Sequence, residues 1–498
     1  MKPVFRGNTI RAMDACLIER LGLPGRQLME HAAHAAALAV RRRWPGAAVA
    51  VLCGPGNNGG DGLAMARWLH LWGHPVRIWS PRQPDGDDAR ANRALVERLG
   101  LPLMNLDAAV QGARVVVDAL LGTGQRAGPQ GAALDGVRAC RSARAAGAAI
   151  VCLDLPTGLH TDTGQPLGGA DDVVQADLTL TFGFMKPGLV SAPGCALAGE
   201  VEVVDIGLGL SHAVDPALGY ADLMLLEDSD LQALLPADGQ LGAKWDRGHV
   251  AIQASGGAAV LAAEGALSAG VGLVTVLCPR EDWGRLHGLA PEVVLAPPEA
   301  LDPERHDVVV VGPGLGAAAR AALLRLEAFP GLVLVDADAI VHLNEASAGL
   351  RARVAFTPHS AEAARLLGLR RGKVEADRLE ALRLLRPFGL PVLKGPGTLI
   401  AQPPGGSGAA FALPFADERL ATGGSGDVLA GLLGGLMARA VCKQNAPLAA
   451  TLAAGAYLHG ATSRWLPPRA RASQIAAALP EAWSSLTGAP AGSARPRG

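Results

Sequence analysis

One carboxylate follows a run of small residues late in the chain, in the stretch Thr422-Gly423-Gly424-Ser425-Gly426-Asp427. Residues 428–441 after it repeat apolar side chains at helical spacing, so the run lies at the start of a predicted helix. Free backbone amides at a helix start bind anions, and a carboxylate among them can accept the proton of an attacking hydroxyl group. The pattern therefore predicts a phosphoryl-transfer site with Asp427 as its base. The alternative is an aspartate that caps a glycine-rich turn.

Several further features of this half suit a nucleotide site. A glycine turn at 312–316 and the pair Asp336 and Asp338 follow two predicted strands, and His359 lies in a strand-to-helix loop. Lys394 precedes a glycine turn of the kind that binds phosphate, and it is one of only six lysines among 45 basic residues. A lone histidine is more often structural than functional, but the place of His359 at a strand end favours a role in the site.

In the first half of the chain, a glycine-rich loop connects a predicted strand at 48–53 to a predicted helix. Gly54 begins the pattern G-x-G-x-x-G, which lets the backbone approach the pyrophosphate of a dinucleotide. The loop also holds two asparagines and Asp61, polar side chains that are costly to bury unless they bind backbone, a ligand or an ion. A dinucleotide phosphate site is predicted here, and a tight structural turn is the alternative.

Carboxylates also follow the next two predicted strands of this half. Asp118 ends one strand and is followed by a second glycine turn at 122–128, while Asp154 and Thr157 follow the other strand. Ligands of open α/β sheets bind at the carboxyl ends of the strands, so these side chains are candidates for the same site. Each aspartate alone could instead be a helix N-cap.

The elements that would position these residues alternate between short apolar strands and longer segments of helical period. Because the strands are apolar throughout, helices should cover both faces of each sheet, as in parallel α/β sheets. The series pauses once, around residues 207–243, where turn formers replace the regular pattern. We therefore predict two α/β domains. Their strands are predicted at 48–53, 76–79, 114–118, 149–154 and 178–182, and then at 249–253, 273–277, 307–311, 332–336, 354–357 and 392–394.

Composition and charge exclude several classes of protein. The 45 basic and 46 acidic residues leave a net charge of −1, which argues against a nucleic-acid partner. The seven cysteines form no C-x-x-C pair and are typical of reduced thiols in a cytoplasmic protein. The chain starts without the profile of a signal peptide. Its longest apolar stretch, Val428 to Cys442, is too short and too interrupted to predict a membrane span.

Five segments of the first half carry a family resemblance: LMEHAAHAA, GPGNNGGDGLAMARWL, DALLGTG, LDLPTGLHTDTG and TFGFMKPGLVSAPG. They make residues 10–210 closely similar to the NAD(P)H-hydrate epimerase domain. The resemblance implies a Rossmann-like three-layer αβα fold, Asp154 as the catalytic acid/base, and a potassium ion coordinated by Asn58, Asp118 and Thr157. It also implies that Asp154 and two loops bind the hydrated dinucleotide, NADHX or NADPHX. The loop residues are Asn57, Asn58, Gly59, Gly60 and Asp61, and then Gly122, Thr123, Gly124, Gln125, Arg126, Ala127 and Gly128.

The second half carries a resemblance of its own, in VVGPGLG, VDADAI, FTPHSAEAARLLG, VLKGPGTLI and LATGGSGDVLAG. These segments make residues 223–480 look like the ADP/ATP-dependent NAD(P)H-hydrate dehydratase, which has a ribokinase-like α/β fold. The resemblance implies phosphorylation of the ring hydroxyl and then loss of phosphate, with Asp427 catalytic and Mg²⁺ bridging the phosphates of ADP or ATP. It implies hydrate contacts at Ala258, Gly316, His359 and Asp427, and nucleotide contacts at Lys394, Gly395, Pro396, Gly397, Thr398 and Gly426.

Together the two resemblances predict a bifunctional repair enzyme that epimerises (6R)- to (6S)-NAD(P)HX and dehydrates the (6S) form. The alternative is a ribokinase-type small-alcohol kinase fused to a dinucleotide-sensing or scaffold domain. The predicted boundaries are 1–212 for the epimerase domain, 213–222 for a linker, 223–485 for the dehydratase domain and 486–498 for a disordered tail. The loop at 254–257 is shorter than is usual in the family, which predicts a reshaped wall of the hydrate pocket. We expect a homo-oligomer in the cytoplasm, with neither a membrane nor a nucleic acid as partner.

Overall fold

The computed structural model describes residues 1–236, 243–403, 408–443 and 447–488. The chain divides into two compact units at residue 223. The first unit is Lys2–Leu223, and the second is Met224–Gly498 together with Met1.

Two predicted boundary segments can be placed on this division. Residues 213–222, predicted as a linker, lie in the first unit and take part in helical turns at Ser211–Val214 and Pro216–Gly219. The tail predicted from residue 486 begins inside the last helix, Ala472–Thr487, and residues 489–498 lie outside the described part of the chain.

The first unit is built on a six-stranded sheet whose strands are all parallel. Its order is β3-β2-β4-β5-β6-β7. Five of these strands are predicted from the sequence. The sixth, β7, escapes prediction because its two glutamates interrupt the apolar run, as suits a half-exposed edge strand. The strands are β1 (Lys2–Val4, outside this sheet), β2 (Val49–Cys53), β3 (Val76–Trp79), β4 (Val115–Ala119), β5 (Ala149–Leu153), β6 (Leu178–Phe182) and β7 (Glu200–Val204).

Helices cover both faces of this sheet. Apolar side chains of α2, α3 and α4 pack on one face, and those of α5 and α6 pack on the other. This arrangement confirms the three-layer αβα fold. The helices are α1 (Gly7–Ala15), α2 (Gly25–Arg43), α3 (Asn57–Leu71), α4 (Asp87–Arg98), α5 (Leu106–Val110), α6 (Ala132–Ala145), α7 (Pro187–Val190), α8 (Gly194–Leu197) and α9 (Ser211–Val214).

The second unit is also an α/β fold with a parallel core. Its strand order is β8-β17-β16-β15-β14-β13-β12-β9-β10-β11, parallel from β15 to β11 and antiparallel through β15, β16 and β17. Six strands of the parallel core follow predicted strands, namely β9, β10, β12, β13, β14 and β15. The sequence does not predict β8, β11, β16 and β17, which span only two or three residues and are too short to leave a periodic pattern. The strands are β8 (Leu223–Leu225), β9 (His249–Gln253), β10 (Leu273–Leu277), β11 (Val294–Ala296), β12 (Val308–Val311), β13 (Leu332–Val335), β14 (Val354–Phe356), β15 (Leu390–Leu393), β16 (Leu399–Ile400) and β17 (Ala410–Ala412).

Helix α17 (Ser425–Lys443) forms the centre of the second unit. Among the described residues it alone is long and apolar enough to cross a membrane by length and composition, yet 78% of its apolar window is buried inside the structure. A Cβ on Gly431 would lie 1.8 Å from the Ala262 carbonyl oxygen, so α17 packs backbone to backbone on α11. The other helices are α10 (Leu231–Leu234), α11 (Gly256–Ser268), α12 (Ala319–Arg325), α13 (Ala348–Arg351), α14 (Ser360–Leu367), α15 (Arg371–Ala376), α16 (Arg378–Leu385), α18 (Leu448–Ala461) and α19 (Ala472–Thr487).

The cysteines are distributed over both units as free thiols. Five of the seven are buried, and Cys195 and Cys442 are partly exposed. Most of the buried ones lie in strands or in helices that pack on a sheet. Their side chains act as small apolar groups of the core.

Candidate active sites

The glycine-rich loop of the first unit joins β2 to α3, as predicted, and α3 begins at Asn57. Two of its glycines are fixed by packing within the protein. A Cβ on Gly54 would lie 1.9 Å from the Leu120 carbonyl oxygen, and a Cβ on Gly59 would lie 1.8 Å from that of Gly54. Gly56 has no atom within 4 Å of its Cβ position, so the loop is open there. The first amides of α3 have no intrahelical acceptor and are available to an anion on that side.

Asp118, at the end of β4, is fully buried and surrounded by hydrogen-bond donors. Its Oδ1 accepts from the Thr157 hydroxyl at 2.8 Å, and its Oδ2 accepts from the Thr157 amide at 2.9 Å. Burial raises the pKa of the Asp118 carboxyl, and no cationic side chain of the described residues pairs with it. The structure thus brings Thr157 against the Asp118 carboxylate. Within the described chain, this carboxylate has no cationic side chain as a counter-ion.

Asn58 is 7% exposed, and neither its amide oxygen nor its amide nitrogen has a hydrogen-bond partner in the described structure. The segment Leu121–Gly122 lies between Asn58 and Thr157. The Leu121 amide donates to Thr157 Oγ1 at 3.1 Å, and a Cβ on Gly122 would lie 3.4 Å from Asn58 Cγ. An unpaired buried amide oxygen near an uncompensated carboxylate is a set of ligands that suits a hard cation such as potassium.

Asp154 follows β5 with a left-handed backbone, at φ 65°, which is uncommon for a residue other than glycine. Its Oδ2 accepts from the Thr123 amide at 3.1 Å, so the carboxylate faces the glycine turn at 122–128. Its Oδ1 accepts from the Lys186 ammonium at 2.6 Å. The sequence assigns no role to Lys186, although this lysine lies inside the family segment TFGFMKPGLV in a chain poor in lysine.

The turn at 122–128 is held from within by Gln125. Its Nε2 donates to the Pro156 carbonyl at 3.3 Å, and its Oε1 accepts from the Gly158 amide at 2.7 Å. The Gln125 side chain therefore faces the protein, and it is 9% exposed. Arg126 is exposed and lies on the solvent side of the turn. Of these two predicted ligands, Gln125 positions the turn and Arg126 is the one available to a bound molecule.

Acidic groups are concentrated in this first site. Burial raises the pKa of the Asp61 carboxyl well above its ordinary value, and the charges of Asp154 and Asp14 raise it further. Burial lowers the pKa of the Lys186 ammonium, an effect that Asp154 partly offsets. A further cation would balance this excess of acidic groups.

In the second unit, Asp427 lies in the first turn of α17, as predicted. Burial, and after it the charge of Asp336, raises the pKa of the Asp427 carboxyl to about 6, whereas Lys394 lowers it. A Cβ on Gly426 would lie 3.4 Å from Lys394 Nζ. The ammonium and the first amides of the helix therefore converge where a phosphoryl group is predicted to bind.

Lys394 is surrounded by carboxylates. Its Nζ donates to Asp336 Oδ1 at 2.7 Å and lies 4.0 Å from Glu362 Oε2. Burial works against the charge of Lys394, but Asp336 and Glu362 together raise the pKa of its ammonium. Burial also raises the pKa of the Glu362 carboxyl, to about 7. The sequence places Asp336 at a strand end of this site but assigns neither Asp336 nor Glu362 a contact with a ligand.

His359 is the N-cap of α14, so one of its ring nitrogens binds backbone amides of the helix. Its Nδ1 accepts from the Ala361 and Glu362 amides at 3.1 and 3.2 Å, and its Nε2 lies 3.4 Å from Glu362 Oε1. Burial, and after it the charge of Lys394, lowers the pKa of the imidazole. With Nδ1 accepting, the neutral ring carries its proton on Nε2, which lies beside Glu362 and is the ring atom that could donate to a ligand.

The loops after β9 and β12 meet at the predicted hydrate contacts. The Ser255 amide donates to the Pro313 carbonyl at 3.1 Å, and a Cβ on Gly314 would lie 3.2 Å from Ala258 Cβ. Ala258 thus lies beside the glycine turn that follows β12. Because α11 begins immediately after Ser255, the β9 loop is short in the structure, as it is in the sequence.

Gly316 lies on the exposed side of the same turn. Its amide donates to Asp338 Oδ2 at 2.8 Å, and its backbone is left-handed, at φ 53°. Asp338 therefore fixes the conformation of the turn, and Gly316 stays accessible to a ligand.

A cavity of ≈580 Å³ opens beside Lys394. Its lining combines polar side chains, among them His359 and Ser425, with apolar ones. Most of the predicted nucleotide residues line it, but Gly397 does not, and its amide donates to the Phe415 carbonyl at 2.9 Å. A cavity of this size and mixed character suits a nucleotide whose phosphates lie near Lys394. The predicted residues that line it are Lys394, Gly395, Pro396, Thr398 and Gly426, and its apolar lining residues include Leu413, Phe415, Leu420, Leu429 and Ala456.

Arg378 binds the backbone of the segment that carries Lys394, beside this cavity, and the sequence does not predict this role. It is 5% exposed and donates to the Leu393 and Lys394 carbonyls at 3.0 and 3.3 Å. The sequence around Arg378 offers no signal for its burial. Arg378 fixes the backbone of the turn that carries Lys394.

Two family models match the chain, one in each unit. The model described as NAD(P)H-hydrate dehydratase matches residues 252–482. The model described as YjeF-related protein N-terminus matches residues 25–188. The two matches cover the two sites described above, including Asp427 in the second unit and Asp154 in the first.

Curated relatives align along nearly the whole chain. The bifunctional NAD(P)H-hydrate repair enzyme of Coxiella burnetii is 36% identical over 477 residues, which cover 92% of this chain and 94% of the relative. That of Escherichia coli is 34% identical over 473 residues, which cover 91% of this chain and 88% of the relative. A solved ribokinase-like superfamily protein from Enterococcus faecalis is 26% identical, with a TM-score of 0.46, and covers 53% of this chain and 96% of its own. With such identity over almost the full length of its relatives, the chain belongs to the family of bifunctional NAD(P)H-hydrate repair enzymes.

Proposed function

We propose that the two units repair hydrated NADH and NADPH in sequence. The first unit interconverts (6R)- and (6S)-NAD(P)HX, and the second converts the (6S) form to NAD(P)H with consumption of ADP or ATP. The observation that carries the proposal is the convergence of Asp427, Lys394 and the α17 amides beside a nucleotide-sized cavity.

In the second unit, Asp427 would accept the proton of the C6 hydroxyl group as that oxygen attacks the terminal phosphoryl group of the nucleotide. Lys394 and the amides at the start of α17 would stabilise the charge on the transferring group. The C6 oxygen then departs with the phosphate, and loss of the C5 proton forms the C5–C6 double bond of NAD(P)H. Phosphorylation thus turns a poor leaving group into a good one, which explains a dehydration on a kinase-like site.

Mg²⁺ would neutralise charge on the nucleotide phosphates when it is bound with them. Among the described residues, no group of three His, Cys, Asp or Glu side chains is arranged to hold a metal ion. This observation favours a magnesium ion held chiefly by the phosphates, with Asp336 and Glu362 as the nearest carboxylates around Lys394.

In the first unit, we assign the acid/base role in epimerisation to Asp154, whose Oδ2 faces the turn at 122–128. Asn58, Asp118 and Thr157 would hold potassium. The unpaired Asn58 amide and the absence of a cationic partner for Asp118 in the described structure support that assignment. Bound potassium would supply positive charge near the phosphates of the dinucleotide.

We also propose a cytoplasmic location, which the free thiols support. A homo-oligomeric state and the lack of membrane and nucleic-acid partners are further predictions. Light scattering on the purified protein tests the first, and vesicle and nucleic-acid binding assays test the others.

A mixed-epimer preparation of NADHX tests the proposed function directly. The chain is supplied with ADP or ATP, Mg²⁺ and K⁺, and reduced-nicotinamide absorbance is followed. Full recovery supports both activities, and recovery that stops at the (6S) fraction contradicts the epimerase assignment. If neither nucleotide gives any recovery, the dehydratase assignment is wrong and a small-alcohol kinase becomes the better hypothesis.

A further inference from the structure

Lys186 is a fully buried lysine whose three ammonium hydrogens all have acceptors. It is 0% exposed, and its Nζ lies 2.6 Å from Asp154 Oδ1, 2.7 Å from Thr181 Oγ1 and 2.8 Å from the Phe182 carbonyl oxygen. Removing an ammonium from water is costly, and an apolar residue of similar volume serves stability at least as well. The placement of Lys186 therefore points to a role other than stability.

The contacts of Asp154 indicate what that role is. Its Oδ1 is taken by Lys186, and the Phe182 amide lies 3.4 Å from the same oxygen. Its Oδ2 accepts from the Thr123 amide and would lie 3.1 Å from a Cβ on Gly122. Lys186 thus holds one oxygen of the carboxylate inside the protein and leaves the other turned toward the glycine turn at 122–128.

The backbone at Asp154 needs such support. Its left-handed conformation, at φ 65°, is disfavoured for a residue with a side chain. The Asp154 amide donates to the Leu180 carbonyl at 2.7 Å, so the backbone is fixed by β6. Lys186 follows β6 in the chain and fixes the side chain from the same direction.

Lys186 is also the cationic partner that the structure gives Asp154. Within the described residues no other cationic side chain forms an ion pair with this carboxylate. Asp61, by contrast, is close enough for the charge of Asp154 to act on it. Without the ammonium, the carboxylate would lie in a buried and acidic environment without a compensating charge.

We propose that Lys186 is a positioning residue of the epimerase site, which neutralises Oδ1 of Asp154 and keeps Oδ2 turned toward the substrate. This assignment rests on the proposed epimerisation. It gives Lys186 an effect on the rate of the chemical step, through Asp154, and little effect on binding of the hydrate.

The test measures conversion of (6R)- to (6S)-NADHX by the full chain, with the epimers separated by chromatography. We expect Lys186→Met to lower kcat by about 100-fold, the usual scale of an acid/base contribution, with KM within about threefold of the wild-type value. Dehydration of (6S)-NADHX by the same variant should be unchanged. As a matched control, Arg67→Met removes another poorly exposed cation of the first unit, which pairs with Glu30, and should leave epimerisation within about threefold.

Two further measurements separate positioning from a purely structural effect. In the Asp154→Asn background, Lys186→Met should cause no additional loss of kcat, because Lys186 acts through the carboxylate. Methylammonium should restore activity to Lys186→Ala by at least about tenfold, because it returns the missing cation to the cavity. Wild-type kcat in Lys186→Met, or equal losses of kcat in both backgrounds without rescue, would overturn the inference. Wild-type protein that does not epimerise NADHX would overturn the proposed function instead.

Discussion

The Asp336 carboxylate lies 2.7 Å from the Lys394 ammonium, and only 2% of the Asp336 side chain is exposed. The same ammonium lies 4.0 Å from Glu362 Oε2, and its charge also acts on Asp427. One lysine therefore balances three carboxylates. A substitution at any member of this cluster should therefore shift the pKa values of the others. The shift at Asp427 can be measured through the pH dependence of dehydration, because Asp427 is the proposed base.

Asp336→Asn should move the acid limb of dehydration to lower pH. The charge of Asp336 contributes to raising the pKa of Asp427 to about 6, so a neutral side chain at 336 lets Asp427 ionise at a lower pH. A base must be ionised to act, so wild-type kcat/KM should fall tenfold per pH unit below about 6. The measurement is kcat/KM for (6S)-NADHX between pH 4.5 and 8. An acid limb that moves to higher pH would contradict this account of the cluster.

Asp427→Asn should abolish dehydration and preserve epimerisation. The asparagine keeps the size and the helix-capping capacity of the side chain but cannot accept the hydroxyl proton, so we expect a loss of about 10²- to 10⁴-fold in kcat. Reduced-nicotinamide absorbance reports dehydration, and chromatography of the epimers reports the other activity in the same sample. Loss of both activities would show that the two sites do not work independently.

Asp118→Asn should weaken the potassium dependence of epimerisation. Replacing the buried carboxylate by an amide keeps the size of the side chain and one oxygen that can accept from the Thr157 amide, but it removes the charge. Half-maximal activity should therefore need at least about tenfold more potassium. Potassium is titrated against choline at constant ionic strength. Dehydration in the same chain is the control for a general salt effect, and an unchanged potassium requirement would place the ion elsewhere.

His459→Gln should reduce the loss of stability at acid pH. Burial lowers the pKa of His459 to about 4, below the value of about 6.5 in an unfolded chain. The unfolded state therefore binds a proton first, so stability is full above about pH 6.5 and falls as the pH drops toward 4. For this histidine the loss between pH 7.5 and 5 is about 2 kcal/mol. Urea unfolding of both proteins at the two pH values tests it, and equal losses in both would contradict it.

The fold could largely be predicted because parallel strands buried on both faces leave continuous apolar runs, as in β4 and β12. The strands that the sequence does not predict include β7, β8, β11, β16 and β17, each of which lies at an edge or spans only two or three residues. The strand β7 alternates glutamate with valine, and β16 and β17 are too short for a pattern.

The site residues divide in a similar way. Asp118, Asp154 and Asp427 could be found because each lies next to a glycine-rich turn at the end of a strand or the start of a helix. Lys186 and Arg378 could not be assigned a role, since their roles depend on contacts with residues distant in sequence, such as the bond from Lys186 to Asp154. Local sequence patterns thus indicate where a ligand can bind, whereas the charged side chains that position the site residues are found only from tertiary contacts.

The burial of the thiols has a consequence for the chemical durability of the protein. Burial raises the pKa of Cys53, Cys140, Cys152 and Cys278, and it raises that of Cys442 to about 11. Peroxides and alkylating agents attack the thiolate, which is scarce at neutral pH when the pKa is high. These five cysteines should therefore resist oxidants while the chain is folded, so that their oxidation in an ageing sample reports unfolding of the segments that bury them.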